Sequence, residues 1–378
     1  MTDLLVVALE PVWPPRQGGQ VRMAGLIEAL SEHLHTVVAI PGPHVVADAP
    51  LEVRSLGESG NAGRSVRGFL SPLPRMGHAI MGDAGRGQIR RLIEELAPRA
   101  MLFTHSYLAA MAGPTQVPVI VDFPNLETQR LATFARRGRL HNRASAHLEA
   151  LKARRWEPAV ARQARLCLAL SDIDRRVLTS WGANAITVPN GVRRGSLPVR
   201  SPRRGPAVYL ASGDYAPNRD GGNWLLRDIW PQVLARDPGA RLVIAGRGTT
   251  AAYADAASIP GVTVLGEVED TSAVLDSAAV VLAPVSSGGG QQLKVIEALS
   301  RARLVVATPF SAGSVPAEMG GLCLVAEDSR AFSSVLVDAL HDAPARWRRE
   351  QTASAAAELL PTWQDSVRPV LTWFEGPR

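Results

Sequence analysis

At 378 residues, with 46% apolar and 20% charged side chains, the chain has the size of two domains and the balance of an ordinary globular protein. It contains no run of about 18 apolar residues, which argues against a spanning helix, and no Cys/His cluster with zinc spacing. The formal charge of +6 is uneven: residues 1–190 hold 22 Lys and Arg against 16 Asp and Glu, while residues 191–378 hold 19 of each.

A basic first half can face an anionic partner, such as a phospholipid surface, a lipid phosphate or an acidic acceptor. It can equally be a solvated, arginine-rich surface. Nucleic acid is disfavoured by the sparse aromatics and the lack of a binding signature. Met1-Thr2-Asp3 leads directly into Leu4–Leu9 and then Glu10, with no basic leader, so this run reads as a buried strand rather than a signal peptide. Cys167 and Cys323 each sit in an apolar run and read as core fillers in a reducing compartment. The expected location is cytoplasmic, with peripheral attachment at the inner face of a membrane as a further expectation from the basic half.

In chain order, Leu4–Leu9 is followed by a helix over Met23–Leu34, whose Met23, Leu26, Ile27, Leu30 and Leu34 share a face. A strand over Thr36–Ile40 stops at Pro41-Gly42-Pro43. Gly57–Gly87, rich in Gly, Pro and Arg, reads as a partly mobile loop. A helix over Ile89–Leu96, strands over Ala100–Thr104 and Val117–Val121, a basic helix over Arg143–Arg165 and a strand over Leu166–Leu170 complete the first half. Pro189-Asn190-Gly191 and the polar stretch Arg193–Pro206 read as a linker.

The second half repeats the rhythm. Strands are expected over Ala207–Ala211, Arg241–Ala245, Val262–Leu265, Ala279–Ala283 and Val305–Thr308. Helices are expected over Asn223–Arg236, Thr271–Ser277 and Leu293–Arg301. Alternation of this kind predicts an α/β fold with two doubly wound parallel sheets, one domain over residues 1–190 and another over 191–360. Beyond Pro361, Trp363, Val367, Val370 and Phe374 form one helix face; this last segment either crosses back to the first domain or packs on its own.

The sharpest chemical signal is Ser286-Ser287-Gly288-Gly289-Gly290-Gln291-Gln292-Leu293-Lys294-Val295-Ile296-Glu297. A strand end, three glycines and a helix start make an anion site suited to a diphosphate, because backbone N–H groups and the helix dipole converge there. Lys294 and Glu297 are i, i+3 neighbours that can point at one ligand. The chain has only two lysines, Lys152 and Lys294, so a lysine at this place stands out. An ordinary Gly-rich turn with a surface ion pair is the competing reading. The run is neither a Walker A loop nor a dinucleotide fingerprint.

With this stretch, the second half resembles the GT-B glycosyltransferases of family 4, which carry Gly-x-Gly-Thr-Arg-x-Lys-x-x-Glu-Ala or Glu-x7-Glu here. Similar segments follow in order: Ser212-Gly213-Asp214-Tyr215-Ala216-Pro217-Asn218, Leu242–Gly246, Val264–Val268 and Val281–Pro284. Val188–Val192 looks like the family's interdomain segment. Gly18-Gly19, His105 and Asp122-Phe123-Pro124-Asn125-Leu126-Glu127 are looser matches in the first half.

The resemblance implies two Rossmann-like domains facing a central cleft, and retaining transfer from a nucleoside-diphosphate sugar without a metal or other cofactor. It implies catalytic roles for His105, Lys294 and Glu297, with Glu297 on the ribose and Lys294 on the diphosphate. It implies donor contacts from Gly18, Gly19, Gly213, Arg219, Gly246, Arg247, Glu267, Val268, Gly288, Gly289, Gly290, Gln291 and Gln292. Asp122, Asn125 and Glu127 are the acceptor-side candidates. Bacterial relatives by resemblance act on cell-surface glycans, lipid carriers and secondary metabolites.

Two positions depart from the family pattern. Gly289 stands where the first Glu of Glu-x7-Glu belongs, and Gln291-Gln292 replaces Thr-Arg. One cation is lost, and Arg219 is the candidate second cation beside Lys294. Gly289 and Gln292 favour a non-catalytic donor-binding protein as an alternative, and a GT-B epimerase or phosphorylase would share the fold and bind phosphate or a nucleotide-sugar. A nicotinamide oxidoreductase lacks its fingerprint.

Overall fold

The computed structural model describes residues 2–15, 17–42, 49–57, 83–137, 140–193, 200–288, 291–315, 319 and 321–376. The chain divides into two compact units, residues 1–191 with 363–378, and residues 192–362.

The first unit is built on seven parallel strands: β1 (Leu4–Val7), β2 (Thr36–Ile40), β3 (Glu52–Ser55), β4 (Ala100–Phe103), β5 (Val119–Phe123), β6 (Leu166–Ala169) and β7 (Ala185–Thr187). They lie in the order β3-β2-β1-β4-β5-β6-β7. Every residue of β1 is buried, Leu4 and Val6 on one face and Leu5 and Val7 on the other. That two-sided burial is why the strand reads as a continuous apolar run instead of an alternating one.

Helices α1 (Gly18–Ser31), α2 (Asp83–Leu96), α3 (Ser106–Ala109), α4 (Glu127–Arg137), α5 (Leu140–Gln163) and α6 (Asp172–Ser180) cover the faces. α1 starts five residues before the expected position, so Gly18 and Gly19 are its first turn. Strands β3 and β7 and helices α4 and α6 escape the sequence reading, being short or strongly polar. Of the Gly57–Gly87 segment, residues 58–82 lie outside the described residues, and Asp83 already begins α2.

The second unit repeats the plan with six parallel strands: β8 (Ala207–Leu210), β9 (Leu242–Ala245), β10 (Val262–Gly266), β11 (Val280–Ala283), β12 (Val305–Ala307) and β13 (Leu324–Val325). Their order is β10-β9-β8-β11-β12-β13. The expected helix over Asn223–Arg236 begins seven residues earlier. α7 (Ala216–Trp224) passes through a π-helical turn, Leu225–Ile229, into α8 (Trp230–Arg236). Pro217 in its first turn is the start signal, since its missing N–H is free there in any case.

α9 (Thr249–Ala252), α10 (Thr271–Ser277), α11 (Leu293–Ser300), α12 (Pro309–Ala312), α13 (Ser329–His341) and α14 (Ala343–Ala357) follow. The expected linker is partly anchored. Arg346 on α14, 1% exposed, donates to Ser201 Oγ at 3.0 Å and to the Pro202 carbonyl at 2.7 Å. Its polar composition hides contacts made by backbone carbonyls.

The last helix, α15 (Trp363–Glu375), belongs to the first unit. Trp363, Val367, Val370 and Phe374 are buried in the same core as Met23, Leu26, Ile27 and Leu30 of α1.

Candidate active site

In doubly wound sheets, ligands bind beyond the carboxyl ends of the strands where the order reverses. In the second unit that point lies between β8 and β11. The residues after these two strands are 211–215 and 284–292, the segments that hold six of the sequence-predicted residues, Gly213 and Gly288 to Gln292.

The segment after β8 is built for close approach. Gly246 has φ +127°, and a Cβ there would lie 2.0 Å from the Ala211 carbonyl oxygen. A Cβ on Gly213 would lie 2.2 Å from the Gly248 oxygen. The loops after β8 and β9 therefore lie back to back, tied by Gly213 N–H to the Arg247 carbonyl at 2.7 Å and by an Arg247–Asp214 ion pair at 3.1 Å. Arg219 lies in the first turn of α7, not on the expected loop, because that helix starts at Ala216. It donates to the Gly213 carbonyl at 2.8 Å.

The segment after β11 is pinned from the far side. The Val285 carbonyl accepts from Thr308 Oγ1 and, at 3.0 Å, from Ser311 Oγ. Gly288 has φ +143°, a backbone state that suits glycine. Gly289 and Gly290 lie outside the described residues. Gln291 is half-buried, and Gln292 is buried with its N–H on Ser314 Oγ at 3.2 Å. Among the described residues, no side chain caps the start of α11 at Gln292.

Lys294 and Glu297 follow on α11, each half-buried. The Lys294 ammonium donates to Asn218 Oδ1 at 2.8 Å and lies 4.8 Å from the centre of the Tyr209 ring. Burial pulls the Lys294 ammonium down to about 7, opposed by Glu297. It pushes the Glu297 carboxyl up to about 7, opposed by Lys294. After β10, Glu267 is exposed, while Val268 packs on the core.

The reversal in the first sheet lies between β1 and β4. Gly18 and Gly19 are exposed at the N-terminus of α1, and a Cβ on Gly19 would meet nothing within 4 Å. The loop before them is braced by Gln17 on Glu10 at 2.8 Å and by Gln20 on the Pro11 carbonyl at 3.0 Å. His105 follows β4 at the start of α3. Among the described residues its Nδ1, which is buried, finds no hydrogen-bond partner. Burial lowers the pKa of its ring and favours the neutral form, against the pull of Asp122 and Glu127.

The acceptor-side candidates divide. Asp122 is buried in a two-point grip by Arg22, at 2.9 and 2.7 Å, and Arg22 also reaches Asn190 Oδ1 and the Val188 carbonyl, both at 3.0 Å. Glu127 is 4% exposed and accepts from Tyr107 at 2.5 Å and Arg130 at 2.9 Å. Both carboxylates are thus committed to internal partners, while Asn125 is half-buried.

Four residues carry no role in the sequence reading: in the first unit Arg22 and Glu157, which accepts from the Glu127 N–H at 2.8 Å, and in the second unit Asn218 and Tyr209. The signal that could have found some of them is scarcity. The chain has four tyrosines, Tyr107, Tyr209, Tyr215 and Tyr253. Tyr107 reaches Glu127, and the Tyr209 and Tyr253 hydroxyls both donate to the Asn218 carbonyl, at 2.8 and 2.9 Å.

Residues 206–342 match the family described as Glycosyl transferases group 1. Among solved structures, the chain is similar to a TarM mutant of S. aureus in complex with Fondaparinux, alpha-GlcNAc-glycerol and UDP, with a TM-score of 0.73, 9% identity and 100% of both chains covered. It is also similar to sucrose-phosphate synthase from Thermosynechococcus elongatus, with a TM-score of 0.70, 14% identity, and 99% of this chain and 98% of that one covered. A third likeness is to Anabaena HepE in complex with UDP and glucose, with a TM-score of 0.67, 10% identity and 100% of both chains covered. At these identities the likeness shows the GT-B fold. No curated protein matches the sequence.

Proposed function

We propose, from the premise that this chain carries a group 1 glycosyl transferase domain, that it moves a sugar from a nucleoside-diphosphate sugar to an acceptor hydroxyl with retention of configuration and without a metal. The observation that carries this reading is the position of Lys294 and Glu297 together on α11 at the chain reversal of the second sheet.

In this reading the acceptor oxygen bonds to the anomeric carbon as the bond to the diphosphate breaks. The acceptor proton passes to the departing phosphate oxygen. Lys294, with Arg219 as the second cation, meets the charge that develops on the diphosphate. Glu297 accepts from the ribose hydroxyls. The loops around Gly246, Arg247, Gly248, Glu267 and Val268 hold the base. Gly18, Gly19 and His105 serve the sugar and acceptor from the first unit. UDP is the first nucleotide to try, because TarM and HepE were solved with it. An anionic or membrane-associated acceptor suits the basic first half, and attachment at the inner face of a membrane belongs to the same proposal. No described helix is long and apolar enough to cross a membrane.

Thermal-shift screening of nucleoside diphosphates and their sugars tests the donor half, since a ligand of the folded state raises the midpoint by mass action. A selective shift, lost in Lys294→Ala, supports the proposal. No shift at millimolar nucleotide overturns it. Turnover that survives EDTA supports the metal-free part. Gly289 and the buried Gln292 favour one second reading, donor binding without turnover. That reading predicts the same thermal shift with neither transfer nor hydrolysis.

A further inference from the structure

We propose that Asn218 is a positioning residue that fixes the place and the charge of the Lys294 ammonium; this rests on the reading that Lys294 meets the donor diphosphate. Asn218 is 8% exposed and joins four elements. Its Oδ1 accepts from Lys294 on α11 at 2.8 Å, and its Nδ2 donates to the Ser212 carbonyl after β8 at 3.3 Å. Its main-chain carbonyl accepts from Tyr209 on β8 and from Tyr253 just after α9.

A lysine carries a flexible four-carbon stem and three donors of free orientation. Left alone in a desolvated site, it would sample several rotamers and shed its proton. The carbonyl dipole of Asn218 takes one donor and the ring face of Tyr209 lies against the same group, so at least one N–H remains for an incoming oxygen. Both contacts favour the charged form without neutralising it, as a second carboxylate would do. The charge is therefore held yet left available to a phosphate.

The groups around the ammonium limit what else could tune it. Glu297 on α11 is the charged group that acts on it directly. Tyr209 is held protonated by burial, and Tyr253 is pushed up to about 12. Arg219 acts on Tyr253, and Asp220 acts on both tyrosines. Exchanging the Asn218 side chain leaves the two tyrosine bonds in place, because they end on its main chain.

The test is UDP affinity measured by calorimetry from pH 6 to 9 for the full-length wild type, Asn218→Ala, Asn218→Asp and Lys294→Ala, with thermal midpoints as a folding control. Affinity is expected to fall on the alkaline side as Lys294 loses its proton. Asn218→Asp sets a carboxylate on the ammonium and is expected to move that limb up by about one pH unit or more. Asn218→Ala is expected to bind UDP about tenfold more weakly at pH 7.5. The proton of UDP itself titrates identically in all four proteins. If Lys294→Ala loses binding but the Asn218→Asp limb stays in place, Asn218 has no such role and the donor site stands. If Lys294→Ala binds like the wild type, the donor site itself is misassigned and this inference falls with it. Should Asn218→Ala unfold, the near-isosteric Asn218→Asp decides.

Discussion

The Arg22 guanidinium grips the Asp122 carboxylate through two hydrogen bonds of 2.9 and 2.7 Å, with each residue only 2% exposed. The pair joins α1 to the end of β5, and the remaining donors of Arg22 bind the chain at Val188 and Asn190. Removing one partner leaves a buried charge without compensation, which costs about 3–5 kcal/mol. Asp122→Asn should therefore lower the urea midpoint of the protein. An unchanged midpoint with lost turnover would instead assign Asp122 to acceptor recognition.

A second prediction concerns Gly25. A Cβ at this position would lie 2.2 Å from the Trp363 indole, so α1 and α15 meet with no room for a methyl group. Gly25→Ala should destabilise by about 1–3 kcal/mol through overpacking, despite alanine's better helix propensity. Chemical unfolding of the variant decides it. A stabilised variant would mean that α15 yields easily.

If the proposed donor role holds, Lys294→Ala and Glu297→Ala each reduce kcat by about 100-fold or more, in line with lost electrostatic stabilisation of a transition state. The thermal midpoint should move little, because both side chains keep some contact with solvent. Near-wild-type rates in both variants would remove the site assignment. A large fall in midpoint would recast the pair as structural.

The fourth prediction is a pH dependence. Glu157 is fully buried and accepts from the Glu127 and Thr128 N–H groups, both at 2.8 Å, capping the start of α4. Burial raises its carboxyl to about 7, above the ordinary 4.5, against the hydrogen bonds from Thr128. Between those values the folded protein keeps a proton that the unfolded chain has lost. Its contribution to stability is complete below pH 4.5 and is lost as the pH climbs through 7. Glu157→Gln should flatten this part of the profile, read as unfolding free energy against pH from 5 to 8. It should also cost about 1–3 kcal/mol, since an amide N–H₂ replaces one acceptor oxygen. An unaltered slope would rule out Glu157 as its source.

Much of the fold was legible because both sheets are parallel and covered on both faces. Thr36–Ile40 and Thr271–Ser277 fall where the pattern puts them. β3, with its Glu52 and Arg54 at a sheet edge, lacks the apolar run that betrays a central strand. The glycine segment and Lys294 could be read from local spacing. The Asn218–Lys294 bond spans 76 positions and the Arg22–Asp122 pair spans 100, and neither leaves a local trace. Both depend on which strands are neighbours. Polar side chains that meet only through topology are invisible to periodicity, which reports burial and not partners.

α15 closes the core over α1, yet the ribosome delivers it only after the whole of the second unit. Domains tend to fold in order of synthesis, but the first unit cannot finish in that order. Until Trp363, Val367, Val370 and Phe374 emerge, the apolar stripe of Met23, Leu26, Ile27 and Leu30 lacks this cover while all of the second unit is being made. A nascent chain stalled before Trp363 is therefore an exposed, chaperone-prone species.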